Sequence, residues 1–328
     1  MKKLIGFVAI LAVASFAMTG IASAQKANWP KSFTVATASQ GGTFFQYGSG
    51  WANIISKQTS VVGSAEVTGG PVQNLALVQV GKAEFGLTTL GPAADALAGK
   101  SPAAPGVKMD KVRAIFPMYV TPFTFITLKR SGVDSFAKLP KGVRVGVGPA
   151  GGTGDAYWPG MLKQIGVDAK TRNAGWSDLA GQLKDGLVDA IAFGAGVPVP
   201  AATELEATDE INFLSFTPEQ VSQIEANFPV SAYKVPSTTY KTLKANNQVI
   251  NTVSMWNFAI ANADLPDDFI YEVVKTTMEN NPKMLNVHKA AKTTVSANAK
   301  FNKTLPWHPG ALRYFKEIGA EISDNLNK

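Results

Sequence analysis

The chain has 328 residues, with 31 basic and 24 acidic side chains, two histidines and no cysteine, giving a formal charge of +7. The lack of cysteine excludes disulfides, thiolate metal ligands and cysteine nucleophiles; two histidines leave little for a histidine metal cluster or a histidine-based triad. The basic excess favours anionic partners by long-range steering. It is spread along the chain without a nucleic-acid motif, so nucleic acid is not an expected partner.

Lys2 and Lys3 precede an apolar run from Leu4 to about Met18, and Ala22-Ser23-Ala24 supplies the small-x-small pattern of a cleavage site. Residues 1–24 therefore read as a secretory signal peptide, with Gln25 opening the mature chain. Its removal takes away two lysines and leaves 29 basic against 24 acidic residues, a charge of +5. No later stretch reaches the roughly 18 uninterrupted apolar residues of a spanning helix, and a lipid anchor would need a cysteine. A soluble monomer in the periplasm is expected. The roughly 300 residues that remain suit two domains better than one.

In chain order, the sequence runs through one programme twice. Phe33–Ala36 (FTVA) reads as a strand leading into Ser39-Gln40-Gly41-Gly42-Thr43 and a helix with Phe44, Tyr47, Trp51, Ile54 and Ile55 at helical spacing. Thr68-Gly69-Gly70-Pro71 opens a second helix ending at Gly81, then comes a strand at Glu84–Thr88, and Gly91-Pro92 starts a third helix. A β-rich segment, Phe123–Leu128 (FTFITL), follows. Val143–Val147 (VRVGV) then leads into Pro149-Ala150-Gly151-Gly152-Thr153-Gly154-Asp155 and a helix that Pro159 should delay or kink. Ser177 is the expected N-cap of the next helix, which breaks at Gly186, and the strand Asp189–Phe193 runs into Gly194-Ala195-Gly196-Val197-Pro198 with the proline at a helix start. Lys234–Gln248 reads as a polar surface loop, and Val253–Ala261 as a second β-rich segment.

Alternating strands and helices imply parallel α/β units, and two copies imply two similar lobes. Residues 25–122 and 255–328 are expected to form a discontinuous lobe I, residues 129–250 lobe II, with 123–128 and 251–254 as hinge segments.

Ligands of open α/β sheets sit beyond the carboxyl ends of the strands, where both glycine-rich turns fall. A helix N-terminus offers free N–H groups and partial positive charge to an anion, and glycine lets the backbone come close. Micromolar affinity needs about 8 kcal/mol. Two helix termini at about 0.3–2 kcal/mol each and several charged hydrogen bonds at about 1.5–3 kcal/mol reach that without a charged side chain. Phe44, Phe45, Tyr47, Tyr157, Trp158 and Trp176 fall near such a cleft, about half of them as core. The turns match neither a dinucleotide fingerprint nor a P-loop. The SxxK at Ser135 and the SDN at Ser323 lack a KTG partner, and His308 before Pro309-Gly310 suits a turn. No catalytic residue, metal or cofactor is expected.

The stretches SQGGTFFQYG from Ser39, TGGPVQNLALVQVGKAEFGL from Thr68, VGVGPAGGTGD from Val145, DLPDDFIYEVVKTTMENNP from Asp264 and WHPGALRYFKEIG from Trp307 span nearly the whole mature chain. In this order the chain resembles the TAXI family, the TRAP-associated extracytoplasmic immunogenic solute receptors of tripartite ATP-independent periplasmic transport. The resemblance implies a type II periplasmic binding protein fold, two α/β lobes joined by crossover strands around a ligand cleft. It also implies a non-enzymatic receptor that hands a small carboxylate, such as an amino acid or oxo acid, to a TRAP membrane permease. Carried over, the site comprises Gly42, Thr43, Phe44 and Tyr47; Thr68, Gly70 and Asn74; Thr88 and Thr89; Gly152, Thr153 and Gly154; and Gly194 and Ala195. Pro71 stands where the family often has serine, and Phe44-Phe45-Gln46 where paired tyrosines and a proline are common, so the pocket is less polar than usual. A receptor for an ATP-driven importer and an exported sensor for a membrane kinase stand as alternatives.

Overall fold

The computed structural model describes residues 28–323, so the signal-peptide reading of residues 1–24 lies outside the described residues. Lobe I begins with β1 (Ser32–Ala36), α1 (Thr43–Thr59), β2 (Val62–Glu66), α2 (Pro71–Gln79), β3 (Phe85–Thr89) and α3 (Leu90–Leu97). The long β4 (Val112–Leu128) leaves it. Lobe II holds β5 (Val143–Gly146), α4 (Thr153–Gln164), β6 (Ala169–Arg172), α5 (Trp176–Lys184), β7 (Ala190–Gly194), α6 (Pro200–Thr208), β8 (Ile211–Leu214), α7 (Pro218–Asn227), β9 (Ser231–Val235) and α8 (Lys241–Ala245). The chain returns along β10 (Ile250–Asn262) and closes lobe I with α9 (Asp267–Glu279), α10 (Asn281–Val287) and α11 (Pro309–Glu317).

Strand order is β2-β1-β3-β10-β4 in one lobe and continues β4-β7-β5-β6 in the other, with β8 on β4 and β9 on β10. β1, β2 and β3 are parallel, as are β5, β6 and β7. β4 and β10 run antiparallel to their neighbours and serve both lobes: Phe258–Ala261 pair with β3 while Ile250–Ser254 pair with β9, and Phe123–Thr127 pair with β7. β4 alternates its side chains between two cores. Phe123 and Phe125 pack with Tyr157 and Trp158, whereas Ile126 and Leu128 pack with Trp176, Ile191 and Phe193, the period-2 behaviour of a strand covered on both faces. Lobe I has its own core around Phe33, Trp51, Phe85, Phe116 and Phe269.

Between the lobes β4 and β10 pair directly, Ser254 with Pro122, Met255 with Thr121 and Trp256 with Val120, before a register shift brings Phe258 opposite Pro117. Neither proline can donate to the ladder. Buried Asn257 sits at the shift and substitutes side-chain bonds, donating to Tyr119 O at 2.7 Å and accepting from Thr121 Oγ1 at 3.0 Å.

Several local expectations need correction. α5 starts at Trp176 with Gly175 as N-cap, so Ser177 lies inside the helix. Proline opens α6, but it is Pro200, not Pro198. α4 does not start late: it runs from Thr153 with Pro159 exposed inside it, where one intrahelical donor is lost. Lys234–Gln248 is not all loop: it contains α8, anchored by the buried Tyr240 and Leu243, two apolar residues that the polar composition hides. His308 is the N-cap of α11, its Nδ1 accepting from Gly310 N at 3.2 Å.

Candidate functional site

Among the helices that begin where the lobes face one another, α1, α2, α3 and α4 are not capped by a side chain. Their N-caps are Gly42 for α1, Gly70 for α2, Thr89 for α3 and Gly152 for α4. α7, by contrast, carries a full capping box between Thr217 and Gln220. First-turn amides have no intrahelical acceptor; α2 offers none at Pro71 and its Val72 N is bonded across the cleft, whereas Thr43 N and Thr153 N, at the starts of α1 and α4, have no acceptor among the described residues. Gly70, at φ +112 and ψ −152, occupies a region closed to other residues. That bend sets Pro71 in the first helical position, where a missing N–H costs nothing.

The cavity between the lobes is lined by Ala38, Gly42, Thr43, Phe44, Gly69, Gly70, Pro71, Thr121, Pro149, Gly152, Thr153, Trp176, Gly194 and Ala195. Its volume of about 20 Å³ is the space of one or two waters, and no charged side chain lines it. The lobes are in contact around it. Thr43 Oγ1 donates to Gly196 O, Ala201 N to Gly41 O at 3.0 Å, Val72 N to Gly151 O at 3.3 Å and Trp176 N to Ser39 Oγ at 3.3 Å. The hydroxyls of Thr89 and Thr153 lie 3.5 Å apart, and His288 Nε2 is 3.0 Å from Pro198 O. The glycine turns of the two lobes touch: a Cβ on Gly70 would lie 3.2 Å from Gly152 Cα, and one on Gly69 only 2.5 Å from Ala150 O.

Of the residues expected at the site, the structure brings Gly42, Thr43, Phe44, Gly70, Gly152, Thr153, Gly194 and Ala195 to the cavity wall. It places the others behind that wall. Tyr47 is fully buried against Tyr119, ring centroids 5.2 Å apart, and its hydroxyl lies 3.0 Å from Thr294 Oγ1; burial pushes its pKa up. Thr68 and Asn74 form a brace. Thr68 Oγ1 donates to Asn74 Oδ1 at 2.7 Å and accepts from Gly70 N at 3.1 Å, while Asn74 Nδ2 donates to Thr37 O and Leu87 O at 2.7 and 2.8 Å. This ties the ends of β1 and β3 to α2. Thr88 Oγ1 donates to Thr89 O at 3.2 Å. Gly154 permits close packing of α4 on the sheet, since a Cβ there would lie 2.3 Å from Val147 O.

Ala38, Gly69, Pro71 and Pro149 adjoin the glycines already singled out and were open to the same reasoning. Thr121 carried no signal, being one hydroxyl in an apolar strand. Among the aromatics, Phe44 and Trp176 face the cavity while Trp158 is core. Among the described residues, no group of three or more His, Asp or Glu could hold a metal ion, and no helix is long and apolar enough to cross a membrane.

Two α/β lobes, each a helix-flanked sheet, joined by two shared strands with a cavity between them define the periplasmic-binding-protein fold, and known structures agree. The periplasmic binding protein BugD matches with a TM-score of 0.57 at 16% identity, over 90% of this chain and 100% of BugD. A structure described as a periplasmic transporter matches at 0.53 and 13%, over 88% and 92%. The ligand-binding component of an ABC-type import system from Staphylococcus aureus, with zinc bound, matches at 0.50 and 8%, over 91% and 97%. Residues 35–319 match the model of the NMT1-like family, and the chain belongs to that family.

Proposed function

We propose that this chain is an exported, non-enzymatic solute receptor that closes on a small organic anion, a carboxylate, and delivers it to a membrane permease. The observation that carries this is the convergence of three helix N-termini, those of α1, α2 and α4, none capped by a side chain, on one cavity between the lobes with no charged wall. The amides of Thr43 and Thr153 hold the carboxylate, those of Gly42 and Gly152 being bonded to Ser39 O and Pro149 O and shaping the turns; Phe44 shields it, and the brace of Thr68 and Asn74 keeps α2 in position. The lobes turn about the paired stretches 117–122 and 254–258, beside the hinge segments 123–128 and 251–254.

The resemblance to TAXI receptors favours a TRAP permease as the partner. The ABC-type import component that shares the fold keeps an ATP-driven permease as the second reading. Co-purification with each candidate permease separates the two.

The direct test is thermal unfolding of the processed chain with small carboxylates and their neutral amides. A carboxylate at about 100 times its Kd adds about 2.7 kcal/mol of stability. Equal shifts from acid and amide, or none from any carboxylate, refute the reading. Thr153→Pro, at a first helical position that tolerates proline, should fold normally and bind the carboxylate less tightly.

A further inference from the structure

Trp176 opens α5 in lobe II, yet its ring forms part of the cavity wall. Three glycines make its slot. A Cβ on Gly148 would lie 2.4 Å from Cζ2 and one on Gly154 3.2 Å from Cη2, so the six-membered ring fills the space beside β5 and α4. A Cβ on Gly42 would lie 2.7 Å from Cδ1 and 3.2 Å from Nε1, so the edge bearing the N–H faces the start of α1 across the cleft. Phe193 packs on the ring, centroids 4.7 Å apart. Trp176 is 4% exposed, its backbone N–H is bonded to Ser39 Oγ, and its ring N–H has no acceptor among the described residues. Unlike Trp307 Nε1, this nitrogen is not among the sealed, unpartnered polar atoms, so the donor opens onto the cavity, where an indole N–H ordinarily finds a partner.

The wall chemistry then limits what that partner is. With no Asp or Glu in the lining, an ammonium group would be buried without a counter-ion; with no Lys, Arg or His, a second carboxylate would be buried without a cation. Either burial is strongly unfavourable. One anionic group, by contrast, finds main-chain N–H donors from both lobes and the indole N–H at their meeting point.

We propose that the cleft selects a small monoanion with no ammonium group and no second charge, and that Trp176 Nε1–H is the side-chain donor that fixes one of its oxygens. This rests on the anion-receptor reading above. The site thereby takes short monocarboxylates in preference to amino acids and dicarboxylates.

Calorimetry of the processed chain at pH 7.5 with propionate, pyruvate, succinate, glutamate and propionamide tests this. Propionate or pyruvate should bind at least about tenfold more tightly than succinate, glutamate or the amide. Trp176→Phe, which keeps the ring and removes the N–H, should weaken the better monoanion about tenfold or more with little change in the ligand-free melting temperature. Succinate or glutamate binding as well as the monoanions overturns the selectivity and leaves the receptor reading standing. Unchanged affinity in Trp176→Phe overturns the role of the indole. Binding of no carboxylate removes both readings. The comparison among ligands needs only the wild-type chain, so selectivity is decided even if Trp176→Phe folds poorly.

Discussion

Gly91→Ala isolates lobe closure from folding. Gly91 lies in the first turn of α3, and a Cβ there would be 1.8 Å from the hydroxyl oxygen of Tyr157 on α4. The next nearest atoms, at 2.8 and 3.5 Å, belong to the same tyrosine, so the added methyl meets nothing in its own lobe so closely. Within the helix, alanine should be favourable by about 0.5–1 kcal/mol. Across the cleft the contact falls short of a normal separation of about 3.5 Å by nearly 2 Å. The bond from Val72 N to Gly151 O, already 3.3 Å, and the Thr89–Thr153 hydroxyl pair at 3.5 Å have no slack to absorb such a shift. Losing both at about 0.5–1.5 kcal/mol each disfavours closure by about 1–3 kcal/mol, a five- to 150-fold loss of apparent affinity. Calorimetry with the best-bound carboxylate reads that loss, and thermal unfolding of the ligand-free protein should show no decrease. Adding Tyr157→Phe removes the nearest atom and should recover part of the affinity. The reasoning fails if Gly91→Ala binds like wild type, or if it destabilises the ligand-free chain as much as it weakens binding.

Two further outcomes follow from buried polar groups. Burial pulls the pKa of His308 down to about 4 from 6.5, so between those values the unfolded chain binds the extra proton. The stability is complete above about pH 6.5 and is lost as pH falls toward 4, by about 3 kcal/mol. Denaturant unfolding at pH 7 and pH 4.5 should show that slope in wild type and a smaller one in His308→Asn, which keeps a capping oxygen. Asn74→Ala removes three buried hydrogen bonds and strands two carbonyls, so it should cost about 3 kcal/mol or more of stability. Unaltered stability would mean that the brace between β1, β3 and α2 is not structural.

The repeated strand-turn-helix pattern was legible because glycine turns and apolar periodicity are local properties, and Gly42, Gly70 and Gly152 could be placed from them. What lay beyond reach depends on tertiary partners. Asn74 and Thr88 are polar residues next to those turns, and nothing in the sequence tells that the Asn74 amide reaches the carbonyls of Thr37 and Leu87 instead of a ligand. Tyr47 falls at helical spacing with Trp51, and only the packing against Tyr119 assigns it to the core. Thr121 became part of the cavity because β4 passes beneath both lobes, a consequence of non-local pairing. α8 was missed because its two anchors, Tyr240 and Leu243, stand among lysines, threonines and asparagines.

The paired stretch of β4 and β10 has a mechanical meaning for the pocket it supports. Pro117 and Pro122 bracket the one cavity residue that belongs to a shared strand, Thr121, and Asn257 pins it from the opposite side. If the lobes turn about this stretch, as proposed, a residue on the axle travels least. A guest resting first against Thr121 would then keep its footing throughout, with the helix termini arriving later from either side, so first contact and final grip would fall to separate parts of the molecule.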